Sequence, residues 1–95
     1  MKMYEILVPV KNNDGETYND AFHRHWDRKV VNQFGGLTIL SPQKGKWGNH
    51  NEEMIPVRIA CHSIIGIKSV MRFTKEYYKQ KRVMAYEVSP NVLFV

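Results

Sequence analysis

Residues 34–53 read FGGLTILSPQKGKWGNHNEE, from Phe34 to Glu53. Gly35-Gly36 has the chemistry of a helix C-terminus, because glycine enters the left-handed region without a Cβ clash. The run LTIL that follows is aliphatic and β-branched, which reads as a strand. A glycine- and asparagine-rich segment, Gly45 to Glu53, then reads as a long hairpin connection that ends on the acidic pair Glu52-Glu53. The middle of the chain therefore runs helix, strand, hairpin, strand.

Working outward, YEILVPV alternates Tyr4, Ile6, Val8 and Val10 against Glu5, Leu7 and Pro9, the period of a strand. Pro9 places the end of that strand, or a sheet edge, nearby. Thr17 with Asp20 is a capping-box-like helix start. Phe22, Trp26, Val30 and Phe34 then recur at helical spacing as one apolar stripe. After the hairpin, MIPVRIACH puts Ile55, Val57, Ile59 and Cys61 on one face and Met54, Pro56, Arg58, Ala60 and His62 on the other. Ile67, Val70, Met71, Thr74, Tyr77 and Tyr78 fit a second helix with Lys68, Arg72, Lys75 and Lys79 outside, and RVMAYEV is a last strand.

The resulting order, βαββαβ, predicts an α+β ferredoxin-like sandwich: a four-stranded antiparallel sheet with both helices on one face, as a single domain over residues 1–95. The opposite sheet face has no helix over it. That bare face and the apolar tail NVLFV predict homo-oligomerisation by strand addition or sheet packing.

Composition narrows the classes. With 95 residues, 43% of them hydrophobic, the chain has material for one core. No apolar run is long enough to span a membrane and MKMYEILVPV alternates from its start, so a cytoplasmic location without membrane association is expected. Cys61 is the only cysteine, sits in strand-like sequence and reads as a small buried hydrophobe. A net charge of +5 fits association with anions but does not choose among nucleic acid, nucleotide and phosphate.

His23 and His25 lie two apart, on different sides of a helix, and no Cys/His/Asp/Glu set has ligand spacing, so neither a metal nor another cofactor is expected. No phosphate-cradling glycine loop is present, since Gly35-Gly36 precedes a strand where such a loop precedes a helix. A nucleic-acid reading would rest on Lys68, Arg72, Lys75, Lys79, Lys81 and Arg82, yet the strand IPVRIAC lacks the aromatics that stack bases, and a solvated helix face explains the charges. Trp47 with Glu52 and Glu53 is different: an aromatic face beside carboxylates suits a cation, and the ring also suits adenine. The plainer alternative is a turn-packing aromatic beside a polar pair.

The order of these segments resembles that of short bacterial and phage proteins with an FGGLT…GxW pattern. More distantly, it resembles the phage S-adenosylmethionine lyases, through HRHW (His23–Trp26), Gly36-Leu37, GKW (Gly45–Trp47) and EEMIPVRIAC (Glu52–Cys61). The resemblance implies a ferredoxin-like trimer with sites at subunit interfaces. It implies cleavage of S-adenosylmethionine to methylthioadenosine and homoserine lactone, in the setting of phage counter-defence. Glu53 or Glu52 would take the family's substrate-holding glutamate role. Trp47, Arg58, Tyr86 and Lys46 would complete an adenosine-binding pocket, with Trp47 standing where the lyases carry tyrosine. The alternative is a non-catalytic oligomer that sequesters an anionic or cyclic nucleotide on Arg58, Lys44, Lys46 and Arg82.

Overall fold

The computed structural model describes the backbone of all 95 residues and every side chain except that of Trp47. The elements run β1 (Lys2–Pro9), α1 (Asp20–Phe34), β2 (Thr38–Ile39), β3 (Gln43–Trp47), β4 (His50–Cys61), α2 (Ile64–Tyr77) and β5 (Ala85–Ser89). The sheet order is β2-β4-β1-β5, with β3 also paired to β4 and every pairing antiparallel. This is the α+β arrangement expected from the sequence, with its second strand delivered in two pieces. Thr38 and Ile39 pair with Arg58 and Val57, Leu40 N–H reaches the Pro56 carbonyl at 2.9 Å, and pairing resumes at Gln43↔Met54 on the same edge of β4. Ser41-Pro42 interrupts the ladder, and proline has no N–H to give it.

Two local expectations are corrected, and the two alternatives for Pro9 are resolved in favour of a strand end. The Gly45–Glu53 segment is not a long connection: β3 and β4 form a hairpin closed by Gly48-Asn49 alone, with Trp47 paired to His50. Gly48 sits at φ 60, the glycine-first pattern of a type II′ turn. Helix α1 is capped by Asn19, whose side chain accepts from Phe22 N–H at 2.8 Å. Thr17 bridges to Lys11 instead. Pro9 ends β1, but β1 lies between β4 and β5 and is no edge.

Alternation decides what the sheet buries. Tyr4, Ile6 and Val8 from β1 and Val57, Ile59 and Cys61 from β4 point toward the helices, where Trp26, Val30, Ile67, Val70 and Tyr78 meet them. The helix–helix contact is close: a Cβ on Gly66 would come within 3.1 Å of both Phe34 Cε1 and Cys61 Sγ. Polar groups drawn into this layer find partners. Trp26 Nε1–H donates to Thr74 Oγ1 at 3.0 Å, the Thr74 hydroxyl donates to the Val70 carbonyl at 2.7 Å, and His23 Nδ1 lies 2.7 Å from the Tyr78 hydroxyl.

Past the Pro9↔Met54 pair, β4 leaves β1 behind and continues with β3 as a two-stranded arm, so the molecule extends 42 Å along its longest axis against 28 and 23 Å across. The tail stays in solvent, with Leu93 and Phe94 exposed. Among the described residues, no helix is long and apolar enough to cross a membrane.

Candidate functional site

The candidate residues fall on two places. At the centre of the helix-free sheet face, Glu5, Arg58 and Tyr86 meet by register, since Glu5 stands opposite Arg58 on one side and Tyr86 on the other. Arg58 Nε–H donates to Glu5 Oε1 at 3.1 Å, and the Tyr86 hydroxyl donates to Glu5 Oε2. Glu5 is only 6% exposed although no helix covers it, because its two neighbours do. Both carboxylate oxygens are therefore engaged, and the guanidinium is turned so that its outer N–H groups remain available on a side chain that is 42% exposed. Tyr86 spends its hydroxyl on Glu5 and leaves ring surface in solvent. Glu5 was not among the sequence-predicted residues; its signal was a carboxylate inside an otherwise apolar strand.

The second place is the arm. Glu52, Glu53 and Lys46 are exposed there, and Lys44 stands opposite Glu53 in the ladder. The candidate role of Trp47 lies outside the described side chains. Strand alternation separates the two glutamates: Glu52 shares the face of Met54, Pro56 and Arg58, and Glu53 shares that of Ile55 and Val57. Six positions separate Glu52 from Arg58 along β4, about 20 Å at strand rise. One chain therefore does not bring the arm residues and the Arg58–Tyr86 pair to one point.

What Glu52 does meet is a groove of about 1050 Å³, walled also by His50, Met54, Lys81, Arg82 and Val83. Its lining combines apolar and charged groups, which suits a small polar molecule with a flat ring. Lys81 and Arg82 follow α2, where composition alone read as solvated charge. Among the described residues, no group of three His, Cys, Asp or Glu side chains is placed to hold a metal ion.

Comparison with known proteins places the fold. No family model and no curated protein matches the sequence. The structure is similar to a phage S-adenosylmethionine lyase solved in complex with S-methyl-5'-thioadenosine, at a TM-score of 0.66 and 14% identity over 92% of this chain and 88% of that one. It is also similar to CutA from Synechococcus elongatus, at a TM-score of 0.57 and 7% identity over 94% of this chain and 77% of that one. At these identities the likeness is one of fold, and it agrees with the ferredoxin-like architecture read from the sequence.

Proposed function

We propose that the chain is a S-adenosylmethionine lyase-like enzyme whose site is assembled between copies, the arm of one lying against the Arg58–Tyr86 face of another. The observation that carries this is the separation just described. Glu52 and Arg58 lie about 20 Å apart along β4, and on this reading Lys46, Trp47, Glu52 and Glu53 form one half of a site and Arg58 and Tyr86 the other. Likeness of fold to a lyase that holds S-methyl-5'-thioadenosine supports the choice of ligand, as does the pairing of carboxylates with a guanidinium. S-adenosylmethionine is cationic at sulfur and at its amine and anionic at its carboxylate.

Within such a site the chemistry asks little of the protein as acid or base. The substrate's carboxylate oxygen attacks its own γ carbon, the C–O bond forms as the C–S bond breaks, and sulfur leaves with the bonding pair as neutral methylthioadenosine. Homoserine lactone is the other product, and no proton moves. Catalysis then lies in holding the chain folded for attack and in excluding water. A glutamate of the arm holds the cationic end, and Arg58, oriented by Glu5, turns the carboxylate toward the γ carbon.

Incubation with S-adenosylmethionine and chromatography for methylthioadenosine tests this. The parent chain forms product; Glu53→Gln, Glu52→Gln and Arg58→Gln are each assayed alone. A site built from two copies recovers activity when an inactive arm variant is mixed and reassembled with inactive Arg58→Gln, because some interfaces then carry both intact halves. Absence of product from the parent removes the lyase reading, and a clean monomer by light scattering removes the shared site.

A further inference from the structure

Two adjoining hollows share Met71, Lys81, Arg82 and Val83 in their walls, the groove of about 1050 Å³ and a smaller one of about 420 Å³. Between them they collect four cations, Arg72, Lys75, Lys81 and Arg82, against the single carboxylate of Glu52. None of the four is spent on a partner: the ion pairs among the described residues are Lys2–Glu87, Arg24–Asp27 and Arg58–Glu5. Like charges gathered without counter-charge repel one another in the folded state, and an anion with several oxygens relieves all of them at once.

The corner that presents Lys81 and Arg82 is also fixed. Lys79 occupies the left-handed region at φ 53, where glycine is the ordinary residue, and its carbonyl accepts from Asn13 Nδ2 at 3.0 Å. Gln80 N–H returns to the Lys75 carbonyl at 2.9 Å, and its side-chain amide donates to the Tyr78 carbonyl at 3.0 Å. Leu7, Met54, Met71 and Val83 supply apolar wall beside this cationic corner.

We propose that the groove binds a nucleoside phosphate. The base lies against Met54, Met71 and Leu7, the phosphate sits on Lys81 and Arg82 with Arg72 and Lys75 behind them, and Glu52 accepts from a ribose hydroxyl or a base amine. Glu52 is common to this groove and the proposed lyase site, whereas Lys81 and Arg82 belong to the groove alone, so variants at those two cations test it separately.

Calorimetric titration with AMP, adenosine and inorganic phosphate tests it. AMP binds, and adenosine binds about tenfold more weakly or worse, since it forfeits the charge-assisted contacts. Lys81→Gln/Arg82→Gln, folded by circular dichroism, loses about tenfold or more in AMP affinity, and Lys11→Gln/Lys29→Gln, with the same loss of net charge elsewhere, keeps it. Raising salt from about 50 to about 500 mM weakens AMP binding in the parent. The proposal is overturned if AMP does not bind at millimolar concentration, if adenosine binds as well as AMP, or if the folded groove variant retains its affinity. Much tighter binding of single-stranded RNA through the same cations would overturn it in favour of a nucleic-acid surface. AMP binding without methylthioadenosine formation removes the lyase reading alone.

Discussion

The seam between α1 and α2 and the β3–β4 arm are built on opposite terms. In the seam, aromatic rings stack and cross at short range: Phe22 on Tyr77 at 4.2 Å, Tyr18 on Phe22 at 4.9 Å, Tyr78 edge-on to Tyr18 at 5.1 Å. Their polar tips are satisfied, Tyr18 by the Tyr78 carbonyl and Tyr77 by the Phe22 carbonyl, both at 2.8 Å. No buried side-chain nitrogen or oxygen among the described residues lacks a partner. Among the described side chains, none from Gln43 to Glu53 belongs to the hydrophobic core or packs against it, and the arm is joined by main-chain pairing and one glycine turn. Stability is therefore concentrated in the seam, whereas the arm and the groove beside it present exposed charged groups. A substitution in one region should move the unfolding midpoint, and a substitution in the other should move recognition.

The strongest way to break that contrast is Trp26→Ala. Trp26 is 1% exposed, and emptying its site should cost about 3–5 kcal/mol, enough to unfold much of a small domain in mild denaturant. A loss below about 1 kcal/mol would mean that the seam is not the stabilising region. Thr74→Val, of nearly equal volume, isolates the hydrogen bond: the buried indole N–H loses its acceptor, and the expected cost is about 1–3 kcal/mol. Both are read as shifts in urea midpoint at unchanged slope.

Glu5 sharpens the contrast, because it is a buried carboxylate on the sheet face that faces away from the seam. Arg58→Ala removes the cation and one of the two donors from that carboxylate, leaving it the Tyr86 hydroxyl alone, and should cost about 1–3 kcal/mol. Glu5→Leu leaves a guanidinium that is already 42% exposed and can be solvated, so it should cost less. Equal costs for the two would contradict the burial seen for Glu5.

Much of the helix-covered layer was legible in the sequence because its signals are local. The four-residue spacing of Phe22, Trp26, Val30 and Phe34 and the alternation in β1 and β4 each encode one face. His23 escaped as a buried residue because it lies one position off that stripe, although its spacing to Trp26 and Val30 is also helical. The arm escaped for a different reason. Its residues are mostly polar and glycine-rich, poor strand formers by propensity, and only the Gly48-Asn49 pair signalled a tight turn. Glu5, Arg58 and Tyr86 are 53 and 28 positions apart in sequence, and only the register of three strands joins them. The groove beside Lys81 and Arg82 is likewise a product of tertiary placement.

A smaller effect tests the seam by pH. Burial, with Arg24 adding to it, pushes His23 below its ordinary value of 6.5, while Asp27 and Asp20 pull weakly the other way. The unfolded chain then binds a proton that the native histidine refuses, so the stability that neutral His23 protects is complete above pH 6.5 and falls as pH drops below it. The phenol of Tyr78, which burial pushes well up, stays protonated throughout. Asp27 acts in the opposite sense: burial raises it against the pull of Arg24, so its neutral form favours the folded state further into acid. Urea midpoints should therefore decline as pH falls from 6.5 toward about 5, and His23→Gln should flatten that decline. An unchanged slope in the variant would assign the acid sensitivity elsewhere.

The smallest expected effects on global stability are on the arm. Lys44→Gln, Lys46→Gln, Glu52→Gln and Glu53→Gln alter exposed side chains and should each stay within about 0.5 kcal/mol of the parent. Gly48→Ala is the informative exception. A Cβ there meets nothing within 4 Å, so only the backbone resists it, and forcing alanine to φ 60 costs about 1–3 kcal/mol. That strain falls on a ribbon which opens without disturbing Trp26 or Tyr78. It should therefore raise amide exchange along Gln43–Trp47 and His50–Glu53 while leaving exchange in β1 and the urea midpoint close to the parent. If the midpoint instead fell by the full cost, the arm would be folded cooperatively with the core, and the division between a stabilising seam and a locally held arm would be lost.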